Sequence, residues 1–132
     1  MAEMSNYLEN ALLNATLNAT TYTAPATVYV SLWTSNPGDD GSGTEVSTSG
    51  TSYARQAATF GAPSDGASVT TADITFPTAT ASFGTVGWIG IYDAATVGTG
   101  NLLYHTALDT AKAIDTGDIF KISTGNLSVT LS

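Results

Sequence analysis

Residues 52–60, SYARQAATF, carry the only arginine of the chain, and they follow the acidic, glycine-rich run NPGDDGSGTEVSTSGT. A guanidinium this close to Asp39, Asp40 and Glu45 has three chemistries open to it: binding an anion, joining a metal or sugar site, or serving as the counter-ion of its own loop. Strand alternation puts Arg55 on one face with Tyr53, Ala57 and Thr59, and Glu45 offers it a bidentate partner. Such a pair either locks the loop within one chain or joins two subunits. With three basic residues in the whole chain, the single arginine is a natural interface anchor, so Arg55 is a candidate interface residue.

The other reactive side chains are sparse. Hydrolytic triads need a positioned base, and the one histidine, His105, lies in strand-like NLLYHTAL with no glycine elbow around a serine. A strand-end histidine satisfied by a neighbouring carbonyl accounts for it. Asp65, Asp73, Asp93, Asp109, Asp115 and Asp118 raise the question of a glycosidase pair. Nearly all of them fall in turn signals, where aspartate is expected for its local backbone hydrogen bonds. Asp39, Asp40 and Glu45 are hard oxygen donors suited to calcium, but their spacing fails the EF-hand template, and a solvated turn accounts for residues 39–45. Trp33, Trp88 and the tyrosines offer either a sugar-stacking platform or core, and two tryptophans in a chain this short read as core. No enzyme activity, metal or cofactor is expected.

Eleven carboxylates against three basic residues give a formal net charge of −8. That balance repels phosphate backbones and anionic membranes, so neither nucleic acid nor a membrane is an expected partner. Charged residues make up 11% of the chain, against about 25% in an average soluble domain. The surface is therefore expected to be hydroxyl-rich and largely neutral, which suits a protein built into an assembly. Cysteine is absent, so disulfides and thiolate metal sites are excluded.

At 132 residues the chain fits a single domain, with residues 1–20 a helical segment and 25–132 a sandwich. MAEMSNYLEN has no Lys or Arg and is followed by apolar residues interrupted by Asn and Thr, which reads as neither a signal peptide nor a membrane span. The NAT triplets at Asn14 and Asn18 then mean polar residues on a helix rather than glycosylation sites. Asn6 with Glu9 three residues on resembles a capping box. Leu8, Leu12, Ala15 and Ala19 recur at helical spacing, which predicts a helix over roughly residues 6–18. The repeat LNATLNAT keeps Leu13 and Leu17 on one stripe. Tyr7, Leu8 and Leu12 form an apolar stripe beside a hydroxyl-rich domain, and they are candidate interface residues.

From Pro25 onward the period becomes two. Val28, Val30 and Leu32 face one way, and Tyr29, Ser31 and Trp33 the other. Further strands are predicted over 53–60, 67–76, 86–92, 102–106, 110–114, 119–123 and 127–131, separated by PSDG, GTGN, DTGD and TGN turns. About eight short strands without intervening helices cannot form a parallel sheet. The expected fold is all-β, an antiparallel β-sandwich or jelly roll with one short N-terminal α-helix. GWIGIYDA loads both faces, so its strand is central or covered on its outer side by the helix or another subunit.

Across residues 6–131 the chain resembles small virion proteins of tailed bacteriophages, including cyanophages, commonly labelled tail-fibre-like. The motifs that carry the resemblance are NYLENALLNATLNATTYTAPATVYVSLWTSNP, GTEVSTSGTSYARQAATFGAPSDG, FPTATASFGTVGWIGIYDAATVGTGNLLYHTAL and DTGDIFKISTGNLSVTLS. Proteins of this size and build also serve as capsid cement or decoration proteins. The resemblance implies a structural virion protein with no catalytic residues. The leading expectation is a cement protein on the outer capsid surface, in contact with the major capsid protein and with its own copies as a dimer or trimer. The alternative is a tail- or head-fibre subunit that binds a host-surface glycan.

Overall fold

The computed structural model describes residues 2–131. In chain order the elements are β1 (Glu3–Met4), α1 (Asn6–Leu17), β2 (Val28–Trp33), β3 (Gln56–Ala58), β4 (Ala67–Val69), β5 (Ile74–Thr75), β6 (Gly84–Tyr92), β7 (Leu102–Ile114), β8 (Lys121–Ile122) and β9 (Ser128–Thr130). Five strands form one sheet in the order β1-β7-β6-β2-β3, every neighbouring pair antiparallel. Two ladders, β4 with β9 and β5 with β8, supply the strands outside this sheet. The fold is therefore all-β and sandwich-like, with one short N-terminal helix.

The alternation of β2 explains how the core forms. Val30 and Leu32 enter the main cluster with Val86, Ile89 and Ile91 of β6. From outside the five-stranded sheet, Ile74, Phe76, Phe120 and Leu127 close the same cluster. Phe76 meets Phe120 edge to face and stacks on Tyr53, so aromatic rings join the layers. On the opposite face of β2, Trp33 joins Tyr92 and Leu102 in a second buried cluster, with Trp88 packed against it. β6 is central, between β7 and β2, as its two loaded faces require.

Local chemistry moved several boundaries. The helix cap is Ser5 rather than Asn6: its extended backbone (φ −75°, ψ 159°) precedes the helix and its hydroxyl accepts from the Leu8 amide at 3.2 Å. The expected strand over 67–76 divides at Thr70, whose amide donates to Leu127 and whose carbonyl accepts from Gly125. The chain changes partner there, from β9 to β8. The expected strands 102–106 and 110–114 are one strand, β7, with a register shift opposite Val86 and Trp88. Such an irregularity bends the strand without ending it. Of residues 53–60, only Gln56–Ala58 pair in the sheet.

Candidate functional site

The densest polar network is built where the acidic loop returns beside β2. Glu45 bridges Trp33 across an antiparallel contact, and the Val46 amide donates to Leu32 at 2.9 Å. This alignment aims the Glu45 carboxylate at Arg55. Nε of Arg55 donates to Oε2 at 2.9 Å and Nη2 to Oε1 at 2.8 Å, a bidentate pair. Nη1 donates to the carbonyls of Ala94 and Thr99, each at 3.0 Å. The guanidinium carbon lies 3.8 Å from the centroid of the Tyr92 ring, and Tyr92 in turn stacks on Trp33. The Arg55 side chain is 1% exposed.

Tyr53 completes the network. Its hydroxyl donates to Glu45 Oε2 at 2.6 Å and accepts from the Leu32 amide at 3.0 Å. Burial, followed by the adjacent Glu45 charge, pushes this phenol far above its ordinary value. Burial alone would lower the Arg55 pKa, but the hydrogen bonds and charge of Glu45 outweigh it and raise the value. Among the described residues no buried side-chain nitrogen or oxygen lacks a hydrogen-bond partner. Within one chain Arg55 and Glu45 make the loop-locking pair. The partners of Arg55 are Glu45 and two carbonyls of its own chain, and enclosure on this scale leaves no room to capture an external anion.

Asp39, Asp40 and Glu45 do not converge on a calcium site. Glu45 is held by Arg55, Asp40 Oδ1 accepts from the Ser42 amide at 3.0 Å, and Asp39 Oδ1 lies 2.9 Å from Nε2 of His105. The Ser42 hydrogen bonds hold the Asp40 carboxyl below its usual range. His105 is buried and faces this carboxylate, where sequence reasoning expected a backbone carbonyl. Facing carboxylates instead of a serine hydroxyl, it does not form a hydrolytic triad. Trp33 is 2% exposed, so it is core and not a platform for sugars.

The N-terminal candidates separate in space. Leu8 is buried, Leu12 half-buried and Tyr7 exposed. The larger apolar exposure on the helix belongs to Leu13 at 54% and Leu17 at 74%. The four-residue period of LNATLNAT was the signal for this stripe. Residues 10–38, which include it, contain no Asp, Glu, Lys, Arg or His. Among the described residues no helix is long and apolar enough to cross a membrane.

The site therefore consists of a polar network turned inward around Arg55 and a buried histidine whose Nε2 faces Asp39 and Glu3. The chain belongs to the family described as podophage GP4 fiber I protein gp80, whose model matches residues 3–130. It is thus a structural virion protein of a tailed phage. No curated protein sequence matches it.

Proposed function

We propose that the protein is an architectural subunit of a podophage fibre and acts by packing against further copies of itself and neighbouring virion proteins. The observation that carries this reading is the match of residues 3–130 to a family described as a fibre protein. The surface is consistent with it. Copies that each carry a net charge of −8 repel one another except where the facing surfaces are neutral. Residues 10–27, exposed or half-buried and free of charged side chains, supply such a surface, with Leu13 and Leu17 exposed upon it. Low charge also reduces the desolvation penalty of docking polar faces together.

The capsid-cement reading draws on the same low charge, and the family description favours the fibre over it. A glycan-binding role built on the tryptophans has less support, because Trp33 is stacked on Tyr92 and buried. The test is made on the particle. Antibody labelling viewed by electron microscopy is expected to mark fibres. Particles assembled without the protein are expected to retain DNA on heating yet adsorb poorly to host cells. Label spread over the head, with DNA loss on heating and normal adsorption, would return the assignment to a cement protein.

A further inference from the structure

We propose that Glu3, Asp39 and His105 form a binding site for a divalent transition-metal ion of the zinc type. Three remote parts of the chain build it. Antiparallel pairing of β1 with β7 sets Glu3 opposite His105. The Asn6 amide donates to the Asp39 carbonyl at 2.9 Å, which holds the acidic loop against the same corner. Nε2 of His105 then lies 2.9 Å from Asp39 Oδ1 and 3.9 Å from Glu3 Oε2. The three ligand atoms all fall within 4.8 Å of one another.

The imidazole distinguishes this corner from an ordinary acidic surface. The His105 side chain is 5% exposed, while those of Glu3 and Asp39 are 72% and 52% exposed. A buried ring thus directs one nitrogen outward between two exposed carboxylates, and the hydrogen-bonding and ion-pair partners of that nitrogen are these carboxylates. Among the described residues, Arg55 and Lys121 are committed elsewhere, to Glu45 and to Asp73.

One imidazole nitrogen and two carboxylate oxygens are a zinc-type donor set. Metal–ligand bonds of about 2.0–2.2 Å in a tetrahedron place neighbouring ligand atoms about 3.3–3.6 Å apart. The two distances from Nε2 straddle that separation, and rotation of the exposed carboxylates brings both to it. The ion takes the place of the Nε2 proton, with the imidazole bound as its Nδ1–H tautomer, and water fills the open positions. Calcium fits poorly, since it requires six to eight oxygen ligands. A bound ion would fasten β1 and the acidic loop to β7, immediately before α1. The inference stands apart from the fibre assignment and departs from the expectation that no metal binds.

Zinc chloride titrated into the untagged 132-residue chain is the test, read by thermal unfolding and by calorimetry. At zinc concentrations about a hundred times Kd, the Tm is expected to rise by about 10 °C and the stoichiometry to be one ion per chain. Cobalt(II) is expected to give visible absorption bands of a low-coordinate site. Glu3→Gln and Asp39→Asn, at exposed positions that do not threaten folding, are each expected to weaken zinc binding about tenfold or more. His105→Ala is expected to abolish it. An unchanged Tm without stoichiometric zinc binding would overturn the proposal. So would an equal response to calcium, or zinc affinity retained in Glu3→Gln and Asp39→Asn.

Discussion

Arg55 and Glu45, ten residues apart in the chain, meet edge on through two hydrogen bonds of 2.9 and 2.8 Å inside the fold. The pair links the acidic loop to the segment leading into β3. Through the Ala94 and Thr99 carbonyls it also reaches the loop that follows β6. Glu45→Gln keeps the shape and removes the charge, leaving a guanidinium that is 1% exposed without its counter-ion. A loss of about 3–5 kcal/mol is expected in urea unfolding. Arg55→Lys, which cannot reproduce the fork or reach both carbonyls, is expected to lose about 2–3 kcal/mol. A loss under about 1 kcal/mol for Glu45→Gln would mean that water, rather than protein, surrounds the pair.

Asp73 provides an acid-sensitive latch. Its carboxylate accepts from both the Thr124 amide and the Thr124 hydroxyl at 2.8 Å, and it pairs with Lys121 at 3.2 Å. The hydrogen bonds from Thr124, followed by Lys121, lower its pKa to about 2. A folded value below the unfolded one stabilises the fold above the unfolded pKa, and this contribution disappears as pH falls through the folded value. Wild type is therefore expected to lose more Tm than Asp73→Asn between about pH 4 and pH 2. Parallel Tm curves for the two proteins over that interval would contradict the latch.

Ser5 works in two directions. Its hydroxyl donates to the Leu102 carbonyl and accepts from the Leu8 amide, so one buried side chain both starts α1 and ties it to β7. Ser5→Ala is expected to cost about 1–2 kcal/mol and to speed hydrogen exchange in the first turn of the helix. Exchange unchanged in α1 would show that Leu8 packing alone holds the helix.

How far the sequence could be read depended on the range of the interactions. β2 and β6 were legible because Val30, Leu32, Ile89 and Ile91 alternate with residues of the other face over a span longer than any turn. Arg55 with Glu45 was legible because the partners are near neighbours in sequence. The site at His105 was not, since its ligands come from residues 3, 39 and 105 and meet only through a two-residue strand too short to show a period. The break at Thr70 was hidden for a similar reason. Its cause is a set of hydrogen bonds from residues 125 and 127, while the local sequence reads as continuous strand. Ser5 was overshadowed by Asn6, an equally good cap by composition. What separated them was the buried Leu102 carbonyl, a tertiary partner.

The helix face gives the last expectation, which rests on the proposed architectural role. Leu13 and Leu17 lie one turn apart on α1, both exposed, within the charge-free residues 10–38. Leu8 already anchors the helix to the domain, so these two leucines are not required to hold the monomer together. Leu13→Ser with Leu17→Ser is therefore expected to leave Tm of the isolated subunit within about 2 °C of wild type, as surface substitutions do. The same pair is expected to shift the light-scattering mass of the purified protein from dimer or trimer to monomer, since each leucine removes about 1.5–3 kcal/mol of burial at a full contact. A monomeric wild type over the micromolar range, or an unchanged oligomer in the double variant, would remove this face from the assembly and direct attention to the remaining neutral surfaces of the sandwich.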